Sequence, residues 1–253
     1  MKVKQMSKRS EQILEIVNQH KKIEVNELAN QLKVSKVTIR KDLTELENKG
    51  LLRRQHGYAI INSPDNLNFR LAQNYETKLR IAQAAAEQVA ENATIMIESG
   101  STCVLLADQL GQQGKHVTII TNSYFIAHYV EKYPAITIIL LGGKYQPESE
   151  VVVGPLTKMT LANFHVGQLF IGTDGYDAQT GFYSNDLMRV EIVQAMAAQA
   201  SSVTVLTDSS KFTAPNTVKQ LSPDQVTQVI TDKGLQKDQA ASLRKQHIKL
   251  VLV

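Results

Sequence analysis

The strongest constraint on the fold of this chain is the stretch Ser35-Lys36-Val37-Thr38-Ile39-Arg40-Lys41-Asp42-Leu43. Ser35 is placed to cap a helix by accepting a hydrogen bond from an otherwise unpaired backbone N–H. Ile39, Leu43 and Leu46 recur at three- and four-residue spacing and so share one buried face. Lys36, Thr38, Arg40 and Lys41 are left to face outward near the helix N-terminus, where a recognition helix meets base edges and phosphates in the major groove. Upstream, Ile13, Ile16 and Val17 mark a first amphipathic helix, and Val25, Leu28, Ala29 and Leu32 a short second one. The connection Lys33-Val34-Ser35 is tight, as a helix-turn-helix requires. Past Gly50, residues 51–61 read as two short strands around a turn at His56-Gly57, a basic wing that offers Arg53, Arg54 and His56 to the phosphate backbone. Three helices and a wing predict a winged helix-turn-helix DNA-binding domain over residues 1–62. Its contacts with double-stranded DNA are expected from Ser35, Lys36, Thr38, Arg40, Lys41, Arg53, Arg54 and His56.

Charge divides the chain the same way. Residues 1–62 carry 13 Lys and Arg against 7 Asp and Glu, while residues 63–253 carry 15 against 17. The positive field belongs to the head, where it supplies sequence-independent affinity for nucleic acid through counterion release. The remaining sequence is predicted to have another task. A membrane span is not expected, because no apolar run approaches the roughly 20 residues it needs. Nor is export, because the N-terminus lacks an apolar signal core. The single cysteine, Cys103, permits no internal disulfide, reads as core, and makes the cytoplasm the default compartment. His20, His56, His116, His128, His165 and His247 are scattered without metal-ligand spacing, so neither a metal nor a cofactor is expected.

After Ile61 the polar residues 62–68 read as a linker, assigned to 63–77, and residues 78–253 as an α/β domain. Strands are predicted at 95–97, 117–120, 136–141, 169–171, 203–206, 229–230 and 248–253, with helices at 81–90, 123–133, 187–200 and 237–246. This alternation argues for a mostly parallel sheet flanked by helices, with no strand order implied. In such sheets ligands collect at the carboxyl ends of the strands. The loops there are Glu98-Ser99-Gly100-Ser101-Thr102, Thr121-Asn122-Ser123, Gly142-Gly143, Gly172-Thr173-Asp174-Gly175 and Thr207-Asp208-Ser209-Ser210-Lys211. A glycine followed by hydroxyl residues at a helix N-terminus suits an anion, and Lys211 adds a cation to the same rim. A phosphorylated sugar or polyol is therefore the expected effector. Its candidate contacts are Ser99, Gly100, Ser101, Thr102, Asn122, Ser123, Gly143, Asp174, Glu191 and Lys211.

These residues resemble those of the DeoR family of transcriptional regulators. The head is similar along Arg9, Ile13 and Val17, then Ser35, Thr38, Ile39, Arg40, Lys41, Asp42 and Leu43, with Leu46 and Gly50-Leu51-Leu52 behind. Tyr58 stands where the family usually has a second glycine after His56-Gly57. The body resembles the family's sensor domain through Gly100-Ser101-Thr102, Thr121-Asn122-Ser123, Gly142-Gly143, Gly154, Gly172 and Asp208-Ser209-Ser210-Lys211-Phe212. The resemblance implies a sensor fold like ribose-5-phosphate isomerase, in a homo-oligomeric regulator, dimer or tetramer. It also implies a role as repressor of carbohydrate-use genes, tuned by a phosphorylated intermediate. The isomerase likeness brings an alternative, an enzyme using Asp174 and Asp177 as carboxylates, although Glu191 stands about where that pattern puts a catalytic lysine. A second alternative is a regulator whose body only oligomerises. A non-enzymatic regulator, with no catalytic residues, is the expected outcome.

Overall fold

The computed structural model describes residues 7–48, 51–61 and 66–253, so Gly50 and most of the polar linker, residues 62–65, lie outside the described residues. The chain divides after Tyr75 into two compact units. In the first, helices α1 (Lys8–His20), α2 (Val25–Gln31) and α3 (Lys36–Asn48) combine with strands β1 (Lys22–Glu24), β2 (Leu52–Gln55) and β3 (Tyr58–Ile61) in a sheet of order β1-β3-β2. The strand β1 was not expected from sequence. It is only three residues long and alternates exposed, buried and exposed around Ile23. The apolar faces of the three helices meet in one core, with Ile13, Val17, Leu28, Ile39 and Leu43 fully buried.

The assignment of 63–77 to a linker is corrected in part. Helix α4 (Leu67–Ala72) is capped by Asn66, whose side chain accepts from the Phe69 amide at 3.1 Å. Phe69 and Ala72 are buried in the core of the head. A large aromatic that removes its surface from water outweighs the polar run just before it. The following helix α5 (Tyr75–Ala86) starts three residues before the expected boundary at 78.

The second unit is built on a seven-stranded parallel sheet. In chain order its elements are β4 (Thr94–Ile97), α6 (Ser101–Gln112), β5 (Val117–Thr121), α7 (Tyr124–Val130), β6 (Ile136–Leu140), β7 (Lys144–Gln146), β8 (Val151–Val153), α8 (Pro155–Leu161), β9 (Leu169–Ile171), β10 (Gly175–Asp177), β11 (Gly181–Ser184), α9 (Leu187–Ala197), β12 (Val203–Leu206), a 3-10 turn (Ser209–Phe212), β13 (Val218–Leu221), a second 3-10 turn (Pro223–Gln225), β14 (Gln228–Thr231), α10 (Lys237–Lys245) and β15 (Lys249–Leu252). The large sheet runs β15-β14-β12-β9-β4-β5-β6, and its strands are the seven anticipated from the sequence. The inner strands β9, β12 and β14 are buried throughout, as expected where both faces of a parallel sheet are covered. The antiparallel sheet β10-β11-β13 and the hairpin β7-β8 are additions. Because β4 lies between β5 and β9, the chain moves outward one way through β5 and β6 and then the other way from β9. The crevice between the ends of β4 and β9 is thus the topological switch point.

Helix α6 is buried from Ser101 to Gly111, which leaves little room on any side. A Cβ added at Gly111 would fall 2.1 Å from the Tyr133 ring. Tyr133 donates from its hydroxyl to Asp108 Oδ1 at 2.7 Å, and burial followed by that bond pushes its pKa up to about 12. Replacing a helical glycine by alanine gains up to about 1 kcal/mol of propensity. Overpacking costs ~1–3 kcal/mol and displaces a ring whose hydroxyl is held by Asp108, so it dominates. Gly111→Ala is therefore expected to lower stability in urea denaturation, and an unchanged or raised midpoint would contradict this packing.

Candidate functional site

In the first unit the candidate site is one face of α3 with the wing beside it. Ser35 Oγ accepts from the Thr38 amide at 3.1 Å and lies 2.8 Å from Thr38 Oγ1, so the cap forms where the sequence places it. Ile39, Leu43 and Leu46 are buried. Asp42, on the same side, takes a fork from Arg9 at 2.6 and 3.0 Å, which ties α3 to α1. With one face fixed inward, Lys36, Val37, Arg40 and Lys41 are exposed. Val37, which was not among the expected contacts, is 77% exposed.

The wing turns at His56 and Gly57, with φ of 50° and 82°. Two central residues at positive φ make the type I′ turn that matches strand twist in a two-residue hairpin. His56 is exposed at the tip. Tyr58, at the position of the usual second glycine, has its own structural role. Its hydroxyl donates to Glu24 at 3.0 Å, and the Lys22 ammonium sits 4.2 Å from its ring centroid, which fastens the wing to β1.

The two wing arginines, expected together at the phosphate backbone, have different surroundings. Arg53 is exposed. Arg54 donates its amide to Glu47 Oε1 and its Nε to Glu47 Oε2, both at 2.7 Å, and its Nη1 to Thr44 Oγ1 at 2.9 Å. Thr44 passes the contact on by donating to the Arg40 carbonyl at 2.7 Å. Arg54 is therefore a brace between wing and α3. Its backbone N–H first, and its guanidinium second, hold the Glu47 carboxyl below its ordinary range.

In the second unit the candidate site is the carboxyl edge of the sheet. Glu98, at the end of β4, accepts from the Ser99 hydroxyl at 2.5 Å, the Gly100 amide at 2.9 Å and the Gly172 amide at 3.3 Å. A Cβ on Gly100 would approach the Gly172 Cα to 3.1 Å, so the loops after β4 and β9 meet backbone to backbone. Gln220 of β13 donates to the Gly172 carbonyl at 3.2 Å and closes the flank. Ser101 and Thr102 open α6 behind the Gly100 cap, which brings the positive end of a 12-residue helix to the crevice.

The remaining rim residues are partly committed to holding the fold. Asn122 is 1% exposed and donates to the Val152 carbonyl at 3.2 Å. Ser123 caps α7 by accepting from the Ile126 amide at 3.1 Å. Gly143 has no space for a side chain, since a Cβ would fall 2.1 Å from Thr157 Oγ1. Asp174 accepts from the Ser184 hydroxyl at 2.8 Å. Lys211 sits half-buried in the 3-10 turn after β12, beside Ser209, which Asp232 holds at 2.7 and 2.9 Å. Since β12, β9, β4, β5 and β6 are consecutive neighbours, Lys211, Asp174, residues 99–102, residues 122–123 and Gly143 follow one another along a single rim.

Glu191 does not join that rim. It is exposed on α9 and lies 3.5 Å from Lys158 of α8. The inward-facing charge on α9 is Arg189, 6% exposed, because two residues along a helix turn the side chain through roughly 200°. Asp177 is spent on the turn between β10 and β11, accepting from the Gln179 amide, the Thr180 amide and the Thr180 hydroxyl at 3.0, 2.9 and 2.6 Å. Those bonds, the Thr180 hydroxyl foremost, hold it below the usual carboxylate range. Glu98, Gln220 and Arg189 were not among the candidate contacts read from sequence. Only Glu98 left a signal there, as an acid directly after a buried strand. Among the described residues no group of three or more His, Cys, Asp or Glu is placed to hold a metal ion, and no helix is long and apolar enough to cross a membrane.

Comparison with known proteins places both units. The family model of the DeoR-like helix-turn-helix domain matches residues 9–65, and that of the DeoR C terminal sensor domain matches residues 73–233. A putative aga operon transcriptional repressor of Escherichia coli O157:H7 is 29% identical over 253 residues, covering 98% of this chain and 94% of that protein. The HTH-type transcriptional regulator GolR of Listeria innocua is 30% identical, with 90% and 91% covered. Among solved structures, ribose 5 phosphate isomerase A from Neisseria gonorrhoeae aligns with 54% of this chain and 53% of its own, at 20% identity and a TM-score of 0.41.

The Glu47–Arg54 brace has a pH signature. Glu47 has a depressed folded-state pKa, so its contribution is present above the unfolded value near 4.5 and is lost as pH falls through the lower folded value. Hydrogen exchange at the Arg54 amide, corrected for intrinsic rates, is expected to lose protection as pH drops below about that unfolded value, and to lack protection at neutral pH in Glu47→Ala. Protection that is flat with pH and unaffected by the substitution would remove the brace.

Proposed function

The chain belongs to the DeoR family of transcriptional regulators, and from that premise we propose that it is a repressor of carbohydrate-use genes. In this reading its ligand-free form occupies operator DNA, and its second unit binds a phosphorylated sugar or polyol. The observation that carries the reading is the first turn of α3, where Lys36, Arg40 and Lys41 are exposed over an aliphatic back buried in the head. Arg53 adds a phosphate contact from the wing, with His56 at its tip. The excess of positive charge in the head favours any duplex, and the exposed α3 side chains choose among sequences.

The rim supports an anionic ligand by its chemistry. The N-terminal N–H groups of α6 at Ser101 and Thr102, with Lys211 two strands along the same rim after β12, suit a phosphate. Asp174 and the side-chain amide of Asn122 suit hydroxyl groups. A ligand that favours one arrangement of the sensor changes operator affinity by its differential affinity for the two states, a coupling typically of ~1–3 kcal/mol. Homo-oligomers acting in the cytoplasm, with paired heads on repeated half-sites, complete the proposal. Turnover is disfavoured by residue geometry. Enediol isomerisation needs a base beside the carbonyl carbon and a lysine near it, whereas Asp177 is locked in a turn, Asp174 is bonded to the Ser184 hydroxyl, and an exposed acid, Glu191, stands where that pattern puts the lysine.

Gel-shift titrations on the DNA upstream of the protein's own gene test the proposal. Arg40→Ala is expected to cost ~1–3 kcal/mol on operator and little on random duplex if the guanidinium reads a base. An equal loss on both would reassign Arg40 to phosphate. Lys211→Ala and Ser101→Ala are expected to abolish the response to a panel of sugar phosphates while leaving ligand-free binding intact. A full response in both variants would displace the phosphate from this rim. Interconversion of pentose or hexose phosphates by the purified protein would overturn the non-enzymatic assignment.

A further inference from the structure

We infer that Val37 reads the C5 methyl group of a thymine in the operator and so sets the base preference at that position. The inference rests on α3 being the DNA-reading helix. Single exposed apolar residues are ordinary on protein surfaces, so exposure alone decides nothing. What singles out Val37 is its position. At about 100° per residue it lies roughly opposite the mean direction of Ile39, Asp42, Leu43 and Leu46, at the centre of the outward face. Arg40 and Lys41, three and four residues on, flank it one turn later. The residue that projects furthest toward whatever α3 meets is therefore the one uncharged, apolar member of that face. Among the described residues it is also the most exposed of the large hydrophobic side chains, at 77%. A β-branched residue on an exposed helix turn gains nothing from propensity or burial, so nothing within the head accounts for it.

The surroundings narrow what it can read. The Thr38 hydroxyl is already 2.8 Å from Ser35 Oγ in the cap, and Thr44 is engaged by Arg54 and the Arg40 carbonyl. Valine has neither donor nor acceptor, so it cannot discriminate bases by hydrogen bonding. Among base-edge groups in the major groove, the thymine methyl is the apolar one, and short aliphatic side chains pack against it. Val37 is at the second position of α3, within the N-terminal turn that approaches base edges most closely in helix-turn-helix docking.

The test uses the full-length protein to enrich its preferred duplex from a random pool. Each thymine of the recovered site is then replaced by deoxyuridine, which removes the methyl alone. One thymine in each half-site is expected to lose about fourfold in affinity on replacement, the worth of one buried methyl-sized group. Val37→Ala is expected to bind the thymine site more weakly by a similar factor and to be indifferent to the deoxyuridine, while Val37→Ile retains the difference. Neither variant should melt below the parent, because the side chain is exposed and alanine is the better helix former. A recovered site with no methyl-sensitive thymine, or a sensitivity that survives in Val37→Ala, overturns the assignment of Val37 and leaves α3 as the reading helix. Failure to enrich any sequence overturns the reading of α3 and Val37 with it.

Discussion

Glu98 ends β4 with a buried carboxylate that can only accept hydrogen bonds, and it accepts three: from the Ser99 hydroxyl, the Gly100 amide and the Gly172 amide. Two loops far apart in the chain are thereby fixed against each other at the point where the sheet changes direction. The backbone contact between Gly100 and Gly172 follows, and so does the need for glycine at both, since either Cβ would press on the other's Cα at 3.1–3.3 Å. Once the Gly100 cap is set, α6 must begin at Ser101 and aim its N–H groups at the crevice. An unpaired buried carboxylate would be costly, and three donors left without it cost ~1–3 kcal/mol each. The crevice is therefore held rigid by the same atom that keeps it polar.

The head spends its charges in two ways. Arg9 and Arg54 are tied to Asp42 and Glu47, the first fixing α3 to α1 and the second fixing the wing to α3. Both pairs are too open to solvent to contribute much stability as Coulombic attraction. Their value is orientational, because Arg9 forks onto Asp42 through two guanidinium nitrogens, and Glu47 takes one bond from the Arg54 guanidinium and one from its backbone N–H, so each pair sets direction as well as distance. Lys36, Arg40, Lys41 and Arg53 remain exposed on elements whose angles those two pairs define. Formal charge alone thus misjudges which cations meet a phosphate, since a braced arginine adds to the long-range field but has less freedom at the contact.

What could be read from sequence follows from the range of the interaction concerned. All seven strands of the parallel sheet were legible because aliphatic, mostly β-branched runs between turn residues are a local signal, and so were α3 and its cap. The strands β7, β10, β11 and β13 were not, because segments such as Lys144–Gln146 and Gly175–Asp177 are short and mix polar, glycine and aromatic residues, and β8 was missed although Val151–Val153 is an aliphatic β-branched run. Glu191 was misjudged and Arg189 overlooked because the inward face of α9 depends on helical phase, which this helix, apolar on most sides, does not declare. Glu98 and Gly172 lie 74 residues apart, and Arg54 pairs with a glutamate on another element. No periodicity within one element encodes such contacts. Strand order, which makes neighbours of the five loops, is likewise a property of the fold as a whole.

The rim's polar groups are, to a large extent, already saturated by the protein. Ser99 is held by Glu98, Ser123 by the start of α7, Ser209 by Asp232 and Asp174 by the Ser184 hydroxyl. A catalytic acid or base must exchange its proton with substrate and change partners in doing so, which a side chain fixed by three donors does poorly. Fixed groups do something else well: they present oriented N–H dipoles that need no rearrangement when an anion arrives. In the proposed sensing role, such a crevice converts ligand identity into binding free energy. Free energy of binding is the quantity that linkage can pass to a second unit, since a ligand moves an equilibrium only by its unequal affinity for the two states. The commitments that fix the rim's groups are therefore the ones that suit it to the proposed sensing.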